Sequence, residues 1–141
     1  MSDWSLHPRL ASDSVFVASL PLSDLRLVND ARWPWLILVP RVPNAAEWLD
    51  LDGEQRQLLD AEMHAAGTML RAHFATDRIN VAALGNVVPQ LHMHVVSRRV
   101  EDPAWPGPVW GFGQPKPYDD SELQRRIDLL RSHAATNGES S

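Results

Sequence analysis

The stretch of this chain best equipped for chemistry is Gln90-Leu91-His92-Met93-His94-Val95-Val96. In an extended strand, side chains alternate between faces and advance about 6–7 Å every two residues. A strand over Val88–Ser97 therefore sets Gln90, His92 and His94 in a row on one face, while Leu91, Met93 and Val95 enter a core from the other. Two imidazoles beside an amide are hydrogen-bonding groups suited to a phosphoryl centre or a metal ion. Alternation by itself leaves three readings open: a polar face turned to water, a metal site on His92 and His94, or a binding and catalytic face. The metal reading needs a third ligand from His64, His73, His7 or a carboxylate. His64 and His73 fall on a helix, where surface or packing roles are the ordinary ones.

The rest of the chain must position that row. Val15–Leu20 and Leu25–Val28 read as short strands around a turn at Pro21–Asp24. Trp35–Val39 is apolar on both faces, as a central strand is, and Pro40 and Pro43 end it. Asn44 with Glu47 fits a capping box opening a short turn around Trp48 and Leu49. Asp52 with Gln55 repeats the signal and opens a helix to Phe74, with Leu59, Met63, Ala66, Leu70 and Phe74 as its buried stripe. Ile79–Leu84 reads as a strand ended by Gly85-Asn86. The segment from Asp102 to Gly111 is rich in Pro, Gly and Trp and reads as an ordered loop, since Trp rings repay ordering only when buried. A last helix over Ser121–His133 turns Leu123, Ile127 and Leu130 to one side, and residues 136–141 read as a disordered tail. Residues 1–135 form one domain in this reading, without internal repeats.

Composition narrows the function classes. A chain of 141 residues is long enough for one domain with a real core. Its 13 basic and 18 acidic residues give a formal net charge of -5, which offers no general attraction to nucleic-acid polymers or anionic membranes. Small phosphorylated ligands stay open, because a few Arg or His groups and local dipoles hold them whatever the net charge. With no cysteine, disulfides, thiolate catalysis and cysteine-ligated zinc are excluded. No signal peptide or bilayer-length apolar run is visible, so the expectation is a cytoplasmic protein.

The run from Gly85-Asn86 through Gln90-Leu91-His92-Met93-His94-Val95-Val96-Ser97-Arg98 resembles the signature of the histidine-triad (HIT) superfamily. That signature has a Gly-Gln step, a short spacer, three alternating histidines and a following arginine. Leu36-Ile37-Leu38-Val39-Pro40-Arg41 resembles the family's strand ending in Pro and a basic residue, and Asn29-Asp30 lies where members carry a polar pair near the nucleoside. The resemblance covers roughly residues 13–100. Four positions depart from it: Gln90 replaces the first triad histidine, Asn86 the Gln of the Gly-Gln step, Ser97 the Pro before the arginine, and Trp35 a further histidine of many relatives.

The resemblance implies an α+β fold with about five antiparallel strands, one long helix on the sheet, a C-terminal helix, and a homodimer. It implies nucleotidyl transfer or hydrolysis at an α-phosphate of a dinucleoside polyphosphate or nucleoside phosphoramidate, without a cofactor. His92 is the expected nucleophile, passing through a nucleotidyl-histidine, with its other ring nitrogen donating to a backbone carbonyl. His94 is expected on a phosphate oxygen, able to carry positive charge there, and Gly85 and Asn86 close to the same phosphate. Asn29, Asp30 and Arg98 complete the expected nucleotide-binding set. Gln90 donates a hydrogen bond but supplies no proton at neutral pH, which favours leaving groups that depart unaided. A nucleotide-binding module with weak catalysis and a metal-binding protein are the alternatives.

Overall fold

The computed structural model describes residues 3–139. Five strands form one antiparallel sheet: β1 (Ser14–Ser19), β2 (Ser23–Val28), β3 (Trp35–Pro40), β4 (Arg78–Ala82) and β5 (Met93–Arg98), in the spatial order β1-β2-β3-β5-β4. Hairpin connections place β1, β2 and β3 side by side. The long excursion through the central helix then brings β5 against β3 and leaves β4 on the outer edge. β3 is buried along its whole length, as an apolar strand in the middle of a sheet must be.

The helices are α1 (Pro8–Asp13), α2 (Gly53–His73) and α3 (Asp120–Glu139). The Asp52–Gln55 capping box forms: Asp52 accepts from the Gln55 N–H and Gln55 from the Asp52 N–H, at 2.8 and 2.9 Å. Leu59, Ala66, Met69 and Leu70 bury the face of α2 that lies on the sheet, while Met63 and Phe74 are only half-buried. The stripe read from the sequence thus holds at Leu59, Ala66 and Leu70, with Met63 and Phe74 packed at its margin. Glu62 enters the interior beside it, 5% exposed, and its Oε2 takes the Leu22 N–H at 2.7 Å. Asn44 does not cap the turn at Trp48–Asp50; it takes a left-handed φ of 65°, and the Asp50 carboxylate accepts the Ala46 and Glu47 N–H groups instead.

The sheet carries two cores. Val17, Leu25, Leu27, Leu36, Leu38, Met93 and Val95 meet α2 and α3 on one face. On the other, Trp33, Trp35, Ile37, Val39 and Val96 pack with Leu10 of α1 and with Val88 and Val109 from loops. The Asp102–Gly111 segment is ordered against this second core, as its tryptophans require, with Trp110 packed on it and Val109 buried within it. Residues 136–139, expected in a disordered tail, continue the backbone of α3, and residues 140–141 lie outside the described chain. No helix among the described residues is long and apolar enough to cross a membrane.

Candidate active site

The strand that carries the histidines is shorter than its alternation suggests. β5 begins at Met93, and residues 83–92 form an irregular arm with bends at Asn86, Val87 and Gln90, in which Gly85 takes a φ of 69° and Pro89 has no N–H for a ladder. The Leu91 N–H is drawn to Ala45 O at 3.0 Å, outside the sheet. Met93 and Val95 still enter the first core and His94 the opposite face, as the period of two demands. Gln90 and His92, in contrast, stand on the arm, so the expected row of three is broken.

His92 and His94 are nevertheless neighbours, with ring centroids 4.9 Å apart and planes at 68°. They line a cleft of about 710 Å³ on the second face of the sheet. Its floor is Trp35 and Ile37 of β3 together with His94. α1, the end of β2, the Gly85–Val88 arm and the Val109–Pro117 segment form its walls.

The hydrogen bonds decide which nitrogen of each ring does what. His92 Nδ1 lies 2.8 Å from Gln90 O. A carbonyl only accepts, so Nδ1 carries the proton and, in the neutral ring, Nε2 carries the lone pair. Trp35 Nε1 lies 3.0 Å from His94 Nδ1. An indole N–H only donates, so that nitrogen is the bare one and His94 keeps its proton on Nε2. His94 is enclosed by the rings of Trp35 at 5.7 Å and Trp110 at 5.4 Å. Burial and the neighbouring His92 push it down to about 3. The expectation that His94 carries positive charge is therefore corrected: it is a neutral donor, and protonating Nδ1 breaks the bond to Trp35.

The other expected residues divide. Gly85 and Asn86 line the cleft beside His92. Asn29 and Asp30 also line it, but their groups are engaged within the chain. Asn29 Oδ1 accepts the Tyr118 N–H at 2.9 Å. Asp30 receives Arg32 through both carboxylate oxygens, at 2.9 and 2.8 Å. Burial raises Asp30, yet Arg32 and the N–H groups of Arg32 and Lys116 hold it below the usual carboxylate range.

Arg98 is not in the cleft lining. Only 2% exposed, it bonds Asp102 through Nε at 2.8 Å and Nη2 at 3.1 Å, Asn80 at 2.8 Å and Gly107 O at 2.7 Å, which is a structural assignment. Gln90 does not line the cleft either. Its carboxamide accepts the His7 N–H and donates to Ser5 O, both at 2.8 Å. Among the described residues no three His, Asp or Glu side chains are grouped to hold a metal ion. His73 instead meets His133 of α3 at 2.8 Å, and His64 is exposed on α2.

Sequence reasoning missed Arg9, Arg32 and Phe112 in the cleft walls, and the use of Trp110 as a lid on His94. The only available signal was the Trp content of the 102–111 loop; nothing local marks Arg9.

Comparison with known proteins agrees with this architecture. The family model for the HIT domain matches residues 9–101. A histidine triad protein from Bradyrhizobium japonicum is 47% identical, with a TM-score of 0.89 over 92% of this chain and 97% of that one. Those from Marinobacter aquaeolei (45%, TM-score 0.89, 92% and 95%) and Sinorhizobium meliloti (39%, TM-score 0.90, 93% and 97%) are similarly close. A likeness in fold alone, at 14% identity and a TM-score of 0.60, extends over 96% of this chain and 84% of the diadenosine triphosphate hydrolase of Plasmodium falciparum. No match was found among curated proteins. On the matched domain, the shared fold and the paired histidines on and beside β5, the chain belongs to the histidine-triad (HIT) family.

Proposed function

We propose that this protein transfers or hydrolyses a nucleotidyl group at the α-phosphate of a dinucleoside polyphosphate or nucleoside phosphoramidate, through a nucleotidyl-histidine on His92. The observation that carries the reading is the opposed pair of ring orientations. His92 gives its Nδ1 proton to Gln90 O and keeps a basic Nε2, while Trp35 leaves His94 with an Nε2–H to donate. A neutral imidazole is a capable nucleophile near pH 7, and dividing one displacement into two eases both.

In the first step His92 Nε2 bonds to the α-phosphorus as the bond from phosphorus to the leaving oxygen or nitrogen breaks. The leaving group takes that electron pair. His94 Nε2–H donates to a non-bridging oxygen and stabilises the charge growing there, worth most in a partly water-excluded cleft. The Gly85–Asn86 step adds backbone and amide donors to the same phosphate. In the second step water bonds to phosphorus, the N–P bond breaks, its electrons return to His92, and the water proton passes to solvent.

No acid stands at the first triad position. Gln90 has no transferable proton at neutral pH, and its amide is engaged by residues 5 and 7. Leaving groups that depart as anions, such as a nucleotide or polyphosphate, are therefore favoured over an amine, which departs only once protonated. That a distant fold relative is a diadenosine triphosphate hydrolase supports this substrate class. We take the partner of the β4 edge to be a second copy of the chain.

The test is release of nucleoside monophosphate from a panel of adenosine and guanosine dinucleotides and phosphoramidates. Wild type releases it, fastest from polyphosphates, and His92→Ala loses on the order of a thousandfold or more in kcat. A wild type that binds nucleotide yet releases nothing from any of them is a binding module, and the hydrolase reading then falls.

A further inference from the structure

Gln90 has a use that triad chemistry does not explain. A carboxamide holds an NH2 donor group and a carbonyl acceptor at a fixed spacing. Gln90 applies both to main chain two residues apart, accepting from His7 N and donating to Ser5 O at 2.8 Å each. A glutamate in its place has no donor for Ser5 O. The segment it grips leads directly into α1, where the His7 ring accepts the Arg9 N–H at 3.0 Å and Pro8 opens the first turn. A helix of six residues does not hold itself together in water. α1 stays in place because Leu10 is buried among Trp33, Trp35 and Val109 and because the chain before it is tied down.

α1 is a wall of the cleft. Arg9 and Asp13 both line it, paired with each other at 3.5 Å and 61% exposed. Such an exposed pair is weak and gives way to a better anion. The other cleft arginine, Arg32, has Nε and Nη2 on Asp30 and Nη1 on Phe112 O. Arg9 is thus the cleft arginine with donors to offer.

We infer that Gln90 is a positioning residue that latches the N-terminal segment as a wall of the cleft, and that Arg9 on this wall receives the leaving-group phosphates of a polyphosphate substrate. The inference rests on the reading of the cleft as a nucleotidyl-transfer site. It assigns Gln90 to substrate affinity and specificity rather than to the reacting atoms.

Two arms test it on the full chain. The first follows tryptic cleavage after Arg9 in wild type, Gln90→Glu and Gln90→Ala. Loss of two neutral hydrogen bonds opens the segment about tenfold more often, so Q90A is cut about tenfold faster, with Q90E between. The second compares kinetics: Q90A and R9A each raise KM for a dinucleoside polyphosphate about tenfold. Q90A holds kcat, and R9A raises the KM of a phosphoramidate far less than that of the polyphosphate. Unchanged proteolysis, or a Q90A defect confined to kcat, overturns the latch. Equal R9A effects on both substrates overturn the Arg9 contact, an exposed site where misfolding is not at issue. If wild type turns over neither substrate, the functional reading fails separately. Proteolysis then still decides the latch, and equilibrium binding of a dinucleoside tetraphosphate against a nucleoside monophosphate decides Arg9. A preferential loss for the tetraphosphate in R9A supports the contact; an equal loss, or no binding by wild type, overturns it.

Discussion

At the residue scale, the two cleft histidines differ because their Nδ1 atoms face opposite kinds of partner. Gln90 O can only accept and Trp35 Nε1 can only donate, so the two rings are set in opposite tautomers. Trp35→Phe removes the one donor that holds His94 Nδ1 bare. Its expected effect is a fall in kcat of about tenfold with KM little changed, roughly one hydrogen bond's worth. Nitrogen NMR of the imidazoles checks the cause: the His94 ring must change from one tautomer to a mixture. An unaltered His94 signal with full activity would show that Trp35 only packs. The pH dependence follows from the same burial. His94 is depressed from 6.5 to about 3, so the folded state binds fewer protons than the unfolded chain over that interval. Its contribution to stability is complete above about pH 6.5 and is lost as pH falls toward 3, at up to about 1.4 kcal/mol per unit. Denaturant melts at pH 7 and pH 5 measure it, and His94→Gln must flatten that slope.

At the element scale, β5 is gripped on both sides, by β3 and β4, whereas β4 has only β5. Among the described residues no strand pairs with its outer edge, and Val81 of β4 is 48% exposed, with Leu84 and Val87 exposed just beyond. Bare apolar edges invite pairing, and a charge placed there is the usual way to prevent it. Val81→Lys is expected to convert a homodimer to monomer in sedimentation equilibrium while leaving the circular dichroism spectrum unchanged. A wild type that already sediments as a monomer ends the dimer proposal. α2 shows how far local sequence reaches at this scale. Asp52 and Gln55 define its start, and Phe74 its end, because caps need only neighbours within one turn. Glu62 was not legible, because what draws it inside is the Leu22 N–H, forty residues away.

At the scale of the whole molecule, the loop carrying Trp105 and Trp110 is tied to the sheet by one buried arginine. Arg98 joins β5 to Asp102 and Gly107 O in the loop and to Asn80 on β4. Burial raises the Asp102 carboxyl, but Arg98 and the surrounding N–H donors hold it far below the usual range. Arg98→Met leaves that carboxylate buried without its partner, a change that costs about 3–5 kcal/mol. The expected result is a large drop in Tm, accompanied by exposure of the loop tryptophans in the fluorescence spectrum. Because Trp110 also covers His94, the nucleotide binding proposed for this cleft is expected to weaken with it. An R98M protein with wild-type Tm would mean the ion pair adds nothing beyond packing.

Much of this protein is determined by the sequence alone. The β-rich N-terminal third, the fully apolar β3, the capped α2 and the alternation of Met93, His94 and Val95 all follow from residues within a few positions of one another. The Gly85-Asn86 step, the paired histidines and the Pro-ended strand were enough to suggest the family. The tertiary structure decided what those residues do. Trp35 reaches His94 across 59 positions, and Gln90 reaches Ser5 and His7 across 85 and 83. Asn29 and Arg98 are likewise taken up by distant or loop partners, Tyr118 and Gly107 among them. Backbone periodicity is a local property, so it can be read from order along the chain. A side chain's tautomer, charge and hydrogen-bond partner depend on which groups share its surroundings, and only the packing of β3, β5, α1 and the loops brings those groups together.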